Sequence, residues 1–135
     1  MTLRSDDVIA RLDRSDPLIA VVGATDDPSK YGHRIYRNLK NKGYRVVGVN
    51  PTRTTIDGDP AYASVGDLPE PPDIVNVVIP PARTLEVING IAALPDPAIW
   101  IQPGAADPAV REAVVATGMP AVIDDCIMVL TKTRS

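Results

Sequence analysis

The residues best suited to chemistry follow the first apolar run of the chain, within IAVVGATDDPSKYGHRIYRNLKNKG from Ile19 to Gly43. An apolar stretch closes on Gly23, a polar loop follows, and an amphipathic segment ends in Lys42-Gly43. Loop amides and a helix N-terminus in that order can hold a phosphate group, because the free N–H groups and the helix dipole both favour an anion. Charge placement points the same way. From Lys30 to Arg53 the chain carries Lys30, Arg34, Arg37, Lys40, Lys42, Arg45 and Arg53, with no Asp or Glu. Such a stretch attracts an anionic ligand. Lys40 and Lys42 fall near a helix C-terminus, where cations complement the dipole, and read as solvated helix surface. Lys30 and Arg53 flank the two loops and are the better ligand contacts. The planar fork of Arg53 suits a phosphate. Thr25 can either donate to phosphate or simply start the loop.

Residues that break bonds are harder to find. No Ser-His pair, carboxylate cluster or set of metal ligands is brought together by the pattern, so neither a catalytic residue nor a metal site is expected. His33, the single histidine, reads as a surface or loop residue at a helix start. Cys126, the single cysteine, has no base placed beside it and reads as a small buried apolar residue. Trp100 reads as packing against a covering helix. A dinucleotide fingerprint needs G-x-G-x-x-G and an acidic residue closing the second strand. Here no glycine follows Gly23 until Gly32, and the second strand ends in Asn50-Pro51 with Arg53 beyond. The acid that anchors a ribose diol is missing. Arg53 could meet a 2′-phosphate, which keeps an NADP reading open in part.

The elements that must position these groups alternate strand and helix. Ser5 is expected to cap a helix running to about Arg14. Leu18 to Gly23 reads as a strand buried on both faces. A helix from about Gly32 to Lys42 puts Ile35, Tyr36 and Leu39 on one stripe, with Gly43 as its C′ residue. Arg45 to Val49 is a second strand, a weak third lies near Ala61, and a helical turn spans Val65 to Leu68. The strand Ile74 to Ile79 is stopped by Pro80-Pro81. A helix follows from Arg83 to Leu94, with Leu85, Ile88, Ile91 and Ala92 inward. Ala98 to Gln102 is a strand, and Asp107 caps a helix that runs from Pro108 to Thr117 and stops at Gly118. Ala121 to Ile123 closes the series, and a last helical turn lies beyond Asp125. This is an α/β, Rossmann-like, doubly wound parallel sheet of five to six strands with helices on both faces, in the strand order 3-2-1-4-5-6. Ligands bind such sheets outside the carboxyl ends of the strands, where the order reverses.

Size and charge exclude several classes. The 135 residues, 44% hydrophobic, suffice for one domain over 1–135 and leave no room for a second catalytic one. A net charge of −3 makes no case for nucleic acid or for a membrane surface. No apolar run reaches the roughly 20 residues of a membrane-spanning helix. The charged opening MTLRSDDVIARLDRSD is unlike a signal peptide, and a lone cysteine fits a reducing cytoplasm.

The ordered set AVVGAT (Ala20 to Thr25), GYRVVGVNP (Gly43 to Pro51), the Gly58 to Tyr62 spacing, DIVNVVIPP (Asp73 to Pro81), IWIQPGAAD (Ile99 to Asp107) and Asp124-Asp125-Cys126 resembles a known family. It is that of small single-domain CoA-binding proteins, similar to the N-terminal CoA-binding domain of succinyl-CoA synthetase α subunits. The resemblance runs from about Leu18 to Cys126. It implies a Rossmann-type fold that binds coenzyme A or an acyl-CoA, usually with no established reaction. It further implies that Gly23, Ala24 and Thr25, with the loop to Lys30, Tyr31 and Gly32, hold the CoA pyrophosphate. Asn50, Pro51 and Arg53 would lie after strand two beside the adenosine. Ile79, Pro80 and Pro81 would line the adenine or pantetheine path, and Ile101 with Gln102 would close the far side. Family members often carry Asp-Arg-Cys with a Glu a few residues on. Asp125 replaces that Arg here and Ile127-Met128-Val129 follows, so any role tied to the Arg or Glu is left open. Three readings stand: a non-catalytic CoA-binding module, an NADP-linked or acyl-CoA-using enzyme completed by dimerisation, and a ligand-free scaffold for protein contacts. A homodimer or a protein partner fits each.

Overall fold

Short β-branched and aliphatic runs make the centre of the molecule. A computed structural model describes residues 3–134. Leu18–Val22 (β1) is buried at all five positions and Ile74–Val77 (β5) at all four, as expected of parallel strands covered on both faces. Around them lie Arg45–Val49 (β2), Thr55–Ile56 (β3), Asp59–Tyr62 (β4), Ile99–Ile101 (β6) and Ala121–Ile123 (β7). The sheet order is β3-β4-β2-β1-β5-β6-β7. Every pairing is parallel except β3 with β4. Without β3 the order is the expected 3-2-1-4-5-6. The seventh strand is the two-residue Thr55–Ile56, folded back on β4 through Asp57 and Gly58, both at positive φ.

Alternation along each strand divides the core. Ile19, Val21, Ile74 and Trp100 face Ser5–Ala10 (α1), Tyr31–Asn41 (α2) and Ile127–Leu130 (α5), packing with Val8, Ile35, Leu39 and Ile127. Ala20, Val22, Val75, Val77, Ile99 and Ile101 face Pro81–Ala92 (α3) and Pro108–Thr117 (α4), packing with Ile88, Ile91, Val110 and Val114. Among the described residues no helix is long and apolar enough to cross a membrane.

Helix ends follow local chemistry. Gly43, at φ 94°, stops α2: its amide donates to Lys40 and that of Tyr44 donates to Leu39, closing a Schellman motif. Asp107 caps α4 by accepting from the Val110 amide at 2.9 Å. Two expectations are corrected. Ser5 does not cap α1. Arg4 takes that position in a left-handed conformation, and Ser5 Oγ donates instead to the Ala121 carbonyl at 2.9 Å. The helix ends at Ala10 and continues only as a 3-10 turn over Arg11–Asp13. Leu85 is 44% exposed, not inward. Helix α3 begins at Pro81, and its buried stripe is Thr84, Ile88 and Ile91. Thr84 is tolerated there because its hydroxyl donates to the carbonyls of Ile79 and Pro80.

Candidate functional site

The strand order reverses between β1 and β5, and the loops leaving the carboxyl ends of β1, β2 and β5 surround a cavity of about 1180 Å³. That exceeds the ~300–1,000 Å³ of ordinary ligand clefts and suits an extended ligand. Its floor is the Gly23 turn, one wall the start of α2, and the opposite wall the face of α3 from Pro80 to Ala93. Asn50 to Arg53 and Ala63 to Gly66 form the rim.

Backbone geometry shapes the phosphate side. Gly23 holds φ 102°, which side chains rarely adopt, and a Cβ there would come within 2.8 Å of Ile79 Cγ2. Its need for glycine therefore comes from its own backbone conformation and from the residues that follow β5. Gly32 is tighter still: a Cβ would lie 2.0 Å from the Gly23 carbonyl oxygen. The start of α2 thus packs directly on the β1 turn. The loop between them is self-bonded. Thr25 Oγ1 accepts from the Asp27 amide at 3.2 Å, Asp27 Oδ1 accepts from both the amide and hydroxyl of Ser29, and Thr25 O lies 3.2 Å from His33 Nδ1. The Ser29 hydrogen bonds, side chain before backbone, hold the Asp27 carboxyl below its usual range, helped by Lys30 and His33. Asn50 ties the second loop to the first, its Nδ2 donating to the Ala24 carbonyl at 2.9 Å while its Oδ1 accepts from the amide and hydroxyl of Thr52.

The helix N-termini divide into two kinds. That of α4 is satisfied by Asp107, whereas α2 and α3 have no side-chain cap. Among the described residues the amides of Tyr31 and Gly32, which open α2, donate to no protein group. Both uncapped ends border the cavity, where Lys30, Tyr31, Gly32, Pro80 and Arg83 line it. The α2 start, left without a protein acceptor beside the cleft, is an anion seat. Helix α3 instead opens on Pro81, which has no N–H, and the amides of Arg83 and Thr84 donate to the Pro80 carbonyl.

The basic stretch is mostly occupied elsewhere. Arg37 and Lys40 pair with Asp57, Lys40 also with Asp59, and Arg45 pairs with Asp16 and Glu70. Lys42 donates to Met128 O, Thr131 O and Thr131 Oγ1. Arg34 stacks over the Tyr31 ring. Lys30 and Arg53 remain at the cavity with Arg83, facing the carboxylates of Asp27 and Glu86. Arg53 pairs with Asp26, Nη1 to Oδ2 at 3.4 Å, while among the described residues Lys30 and Arg83 form no ion pair.

Of the residues expected at the site, Gly23, Thr25, Lys30, Tyr31, Gly32, Asn50, Pro51, Arg53, Ile79 and Pro80 line the cavity together. Ala24, Pro81, Ile101 and Gln102 are absent from its lining. Ala24 is fully buried toward Gly48 and Ile56, and Pro81 is the first residue of α3. Ile101 is fully buried in the α3–α4 core. Gln102, 3% exposed, accepts from Asn76 and the Ile127 amide and donates to Cys126 Sγ at 3.2 Å. Cys126 is half-buried, and Trp100 is fully buried with Nε1 donating to Asp125 O. Arg83, Glu86, Val87 and Gly90 were not foreseen. Their spacing marks the α3 face that flanks the buried stripe of Thr84, Ile88 and Ile91.

Residues 18–132 match the family described as CoA binding domain. An uncharacterised Bacillus subtilis protein, YneT, is 31% identical over 115 residues, 82% of each chain. The alpha subunit of Pyrococcus furiosus acetate–CoA ligase (ADP-forming) II is 40% identical over 63 residues, 46% of this chain and 14% of that subunit. A solved Thermus thermophilus structure superposes with a TM-score of 0.81 at 37% identity, covering 96% of both chains. With nearly its whole length matched, the chain belongs to the CoA binding domain family.

Proposed function

We propose that this protein binds coenzyme A, free or acylated, as a non-catalytic binding or regulatory module. The observation that carries the reading is the uncapped N-terminus of α2, with the free amides of Tyr31 and Gly32, on one large cleft that also holds three cations. CoA presents a pyrophosphate, a 3′-phosphate and a long, largely uncharged pantetheine arm. The Gly23 turn with the amides of Tyr31 and Gly32 suits the pyrophosphate, and Lys30 lies beside them. Arg53, on the neighbouring rim, suits the 3′-phosphate. Val65, Val87 and Gly90 offer an apolar path for the remainder. The lining is made mostly of loop backbone, prolines, aliphatic side chains and cations; of its two carboxylates, that of Asp27 is engaged by Ser29 and that of Glu86 stands on α3. Such a lining suits holding a ligand more than transforming it. The partial match to a CoA ligase subunit supports the ligand and leaves the reaction of that larger protein aside, since the shared segment is 14% of it.

A thermal-shift series with CoA, acetyl-CoA, dephospho-CoA, NAD and NADP tests the reading. Saturating CoA, at about 100 times its Kd, stabilises the fold by ~2.7 kcal/mol. A shift with NADP and none with CoA would replace this reading with a pyridine-nucleotide one. The 3′-phosphate role of Arg53 is tested separately. Arg53→Ala weakens CoA by about tenfold, the ~1.5 kcal/mol and upward of a charge-assisted contact, while dephospho-CoA changes little. Equal losses for the two ligands would remove Arg53 from the 3′-phosphate.

A further inference from the structure

Asp26 is absent from the cavity lining, yet its carboxylate joins Arg53 on the rim to the β3–β4 turn. Oδ2 lies 3.4 Å from Arg53 Nη1, and Oδ1 accepts from the Asp57 amide at 2.8 Å. Asp57 sits at φ 52° in the β3–β4 turn and pairs with Arg37 and Lys40. One carboxylate therefore joins the phosphate loop after β1 to the hairpin and occupies the guanidinium nearest the adenosine side. Arg53 and Asp26 are each about 40% exposed, at 42% and 39%, so an incoming anion can reach the pair and water screens it only in part.

We propose that Asp26 competes with the terminal phosphate of the ligand for Arg53, and so sets how strongly the site responds to a 3′-phosphate. The inference rests on the CoA reading above. A phosphate dianion approaching Arg53 must displace or share a guanidinium already neutralised by Asp26, and it meets a negative charge beside it. A ligand without that phosphate leaves the pair undisturbed. Asp26 thus tunes selectivity through Arg53 without touching the ligand. The Asp57 amide bond anchors the carboxylate, so it cannot swing out of the way without loosening the hairpin.

The substitution that isolates the charge is Asp26→Asn, because the amide oxygen still accepts from Asp57. Calorimetric titration of the full chain with CoA and dephospho-CoA reads the effect. CoA binds about threefold to fivefold tighter to the variant, the equivalent of losing one partly exposed ion pair, while dephospho-CoA stays within about twofold. The gain shrinks at about 0.3 M salt, where the screening length falls well below 10 Å, and it disappears in an Arg53→Ala background. Unchanged or weaker CoA binding by Asp26→Asn overturns the proposal, as does a gain that survives without Arg53 or one shared equally by dephospho-CoA. Failure of the wild-type protein to bind CoA at all is a separate result. It removes the CoA reading, and the proposal with it.

Discussion

Gly32→Ala sharply weakens CoA binding and lowers the melting temperature, whereas alanine in a helix usually raises it. At an ordinary helical position the exchange stabilises by up to ~1 kcal/mol. At Gly32 the new methyl would lie 2.0 Å from the Gly23 carbonyl oxygen and 2.9 Å from its carbon. Both are backbone atoms of the turn that ends β1, so no rotamer can relieve the contact. Either α2 or the turn must shift. Overpacking of this kind costs ~1–3 kcal/mol or more, equivalent to a drop of about 5–10 °C in Tm for a domain of this size. The movement also carries the unpaired amides of Tyr31 and Gly32 away from the cleft, so affinity falls by about 100-fold, the loss of two good contacts to an anion. Gly90→Ala is the internal control. Its Cβ would meet nothing nearer than Val65 Cγ2 at 3.9 Å, and helix propensity then raises Tm. If Gly32→Ala binds CoA within about threefold of wild type, a tolerance no lost charge-assisted contact allows, the α2 N-terminus is not the phosphate seat.

That outcome shows which information the sequence carries. The Gly23 turn, the α2 stripe of Ile35, Tyr36 and Leu39, the Asp107 cap and the Gly43 and Gly118 stops are local features, each written within a few residues, and each stands where the pattern put it. Features set by distant contacts were less legible. Ser5 has the type of an N-cap, but the carbonyl of Ala121, far along the chain, claims its hydroxyl. Thr84 takes the buried place expected of Leu85, because its hydroxyl can donate to the carbonyls of Ile79 and Pro80 beyond β5. The basic run from Lys30 to Arg53 is continuous in sequence and dispersed in space, because Asp57, Asp59, Asp16 and Glu70 come from other elements to neutralise Arg37, Lys40 and Arg45. Gln102 is the clearest case. A residue at the carboxyl end of a strand faces ligand or core according to which helix covers it, and α5 lies too far along the chain for any local pattern to announce.

The second large effect follows from that placement. Gln102→Leu destabilises the fold and leaves CoA affinity nearly unchanged. The Gln102 side chain is the hub of a buried polar chain. Its Oε1 accepts from Asn76 Nδ2 at 3.0 Å and from the Ile127 amide at 2.9 Å, and its Nε2 donates to Cys126 Sγ. Asn76 is fully buried and its Oδ1 already lacks a partner among the described residues. Leucine fills the volume but strands the Ile127 amide and leaves Asn76 Nδ2 only its long 3.4 Å bond to the Trp100 carbonyl. Each buried donor left unmade costs ~1–3 kcal/mol, so a total near 3–4 kcal/mol is expected. Denaturant titration reads this as a lower midpoint with the same slope. Adding Asn76→Leu removes that weakly bonded donor and the existing orphan oxygen, so the double variant is more stable than the sum of the two single losses predicts. Calorimetry on the folded single variant supplies the decisive contrast. Stability lost with affinity kept assigns Gln102 to the scaffold behind β6. Affinity lost with stability kept would return it to the ligand path and extend the site across the strand ends toward Cys126.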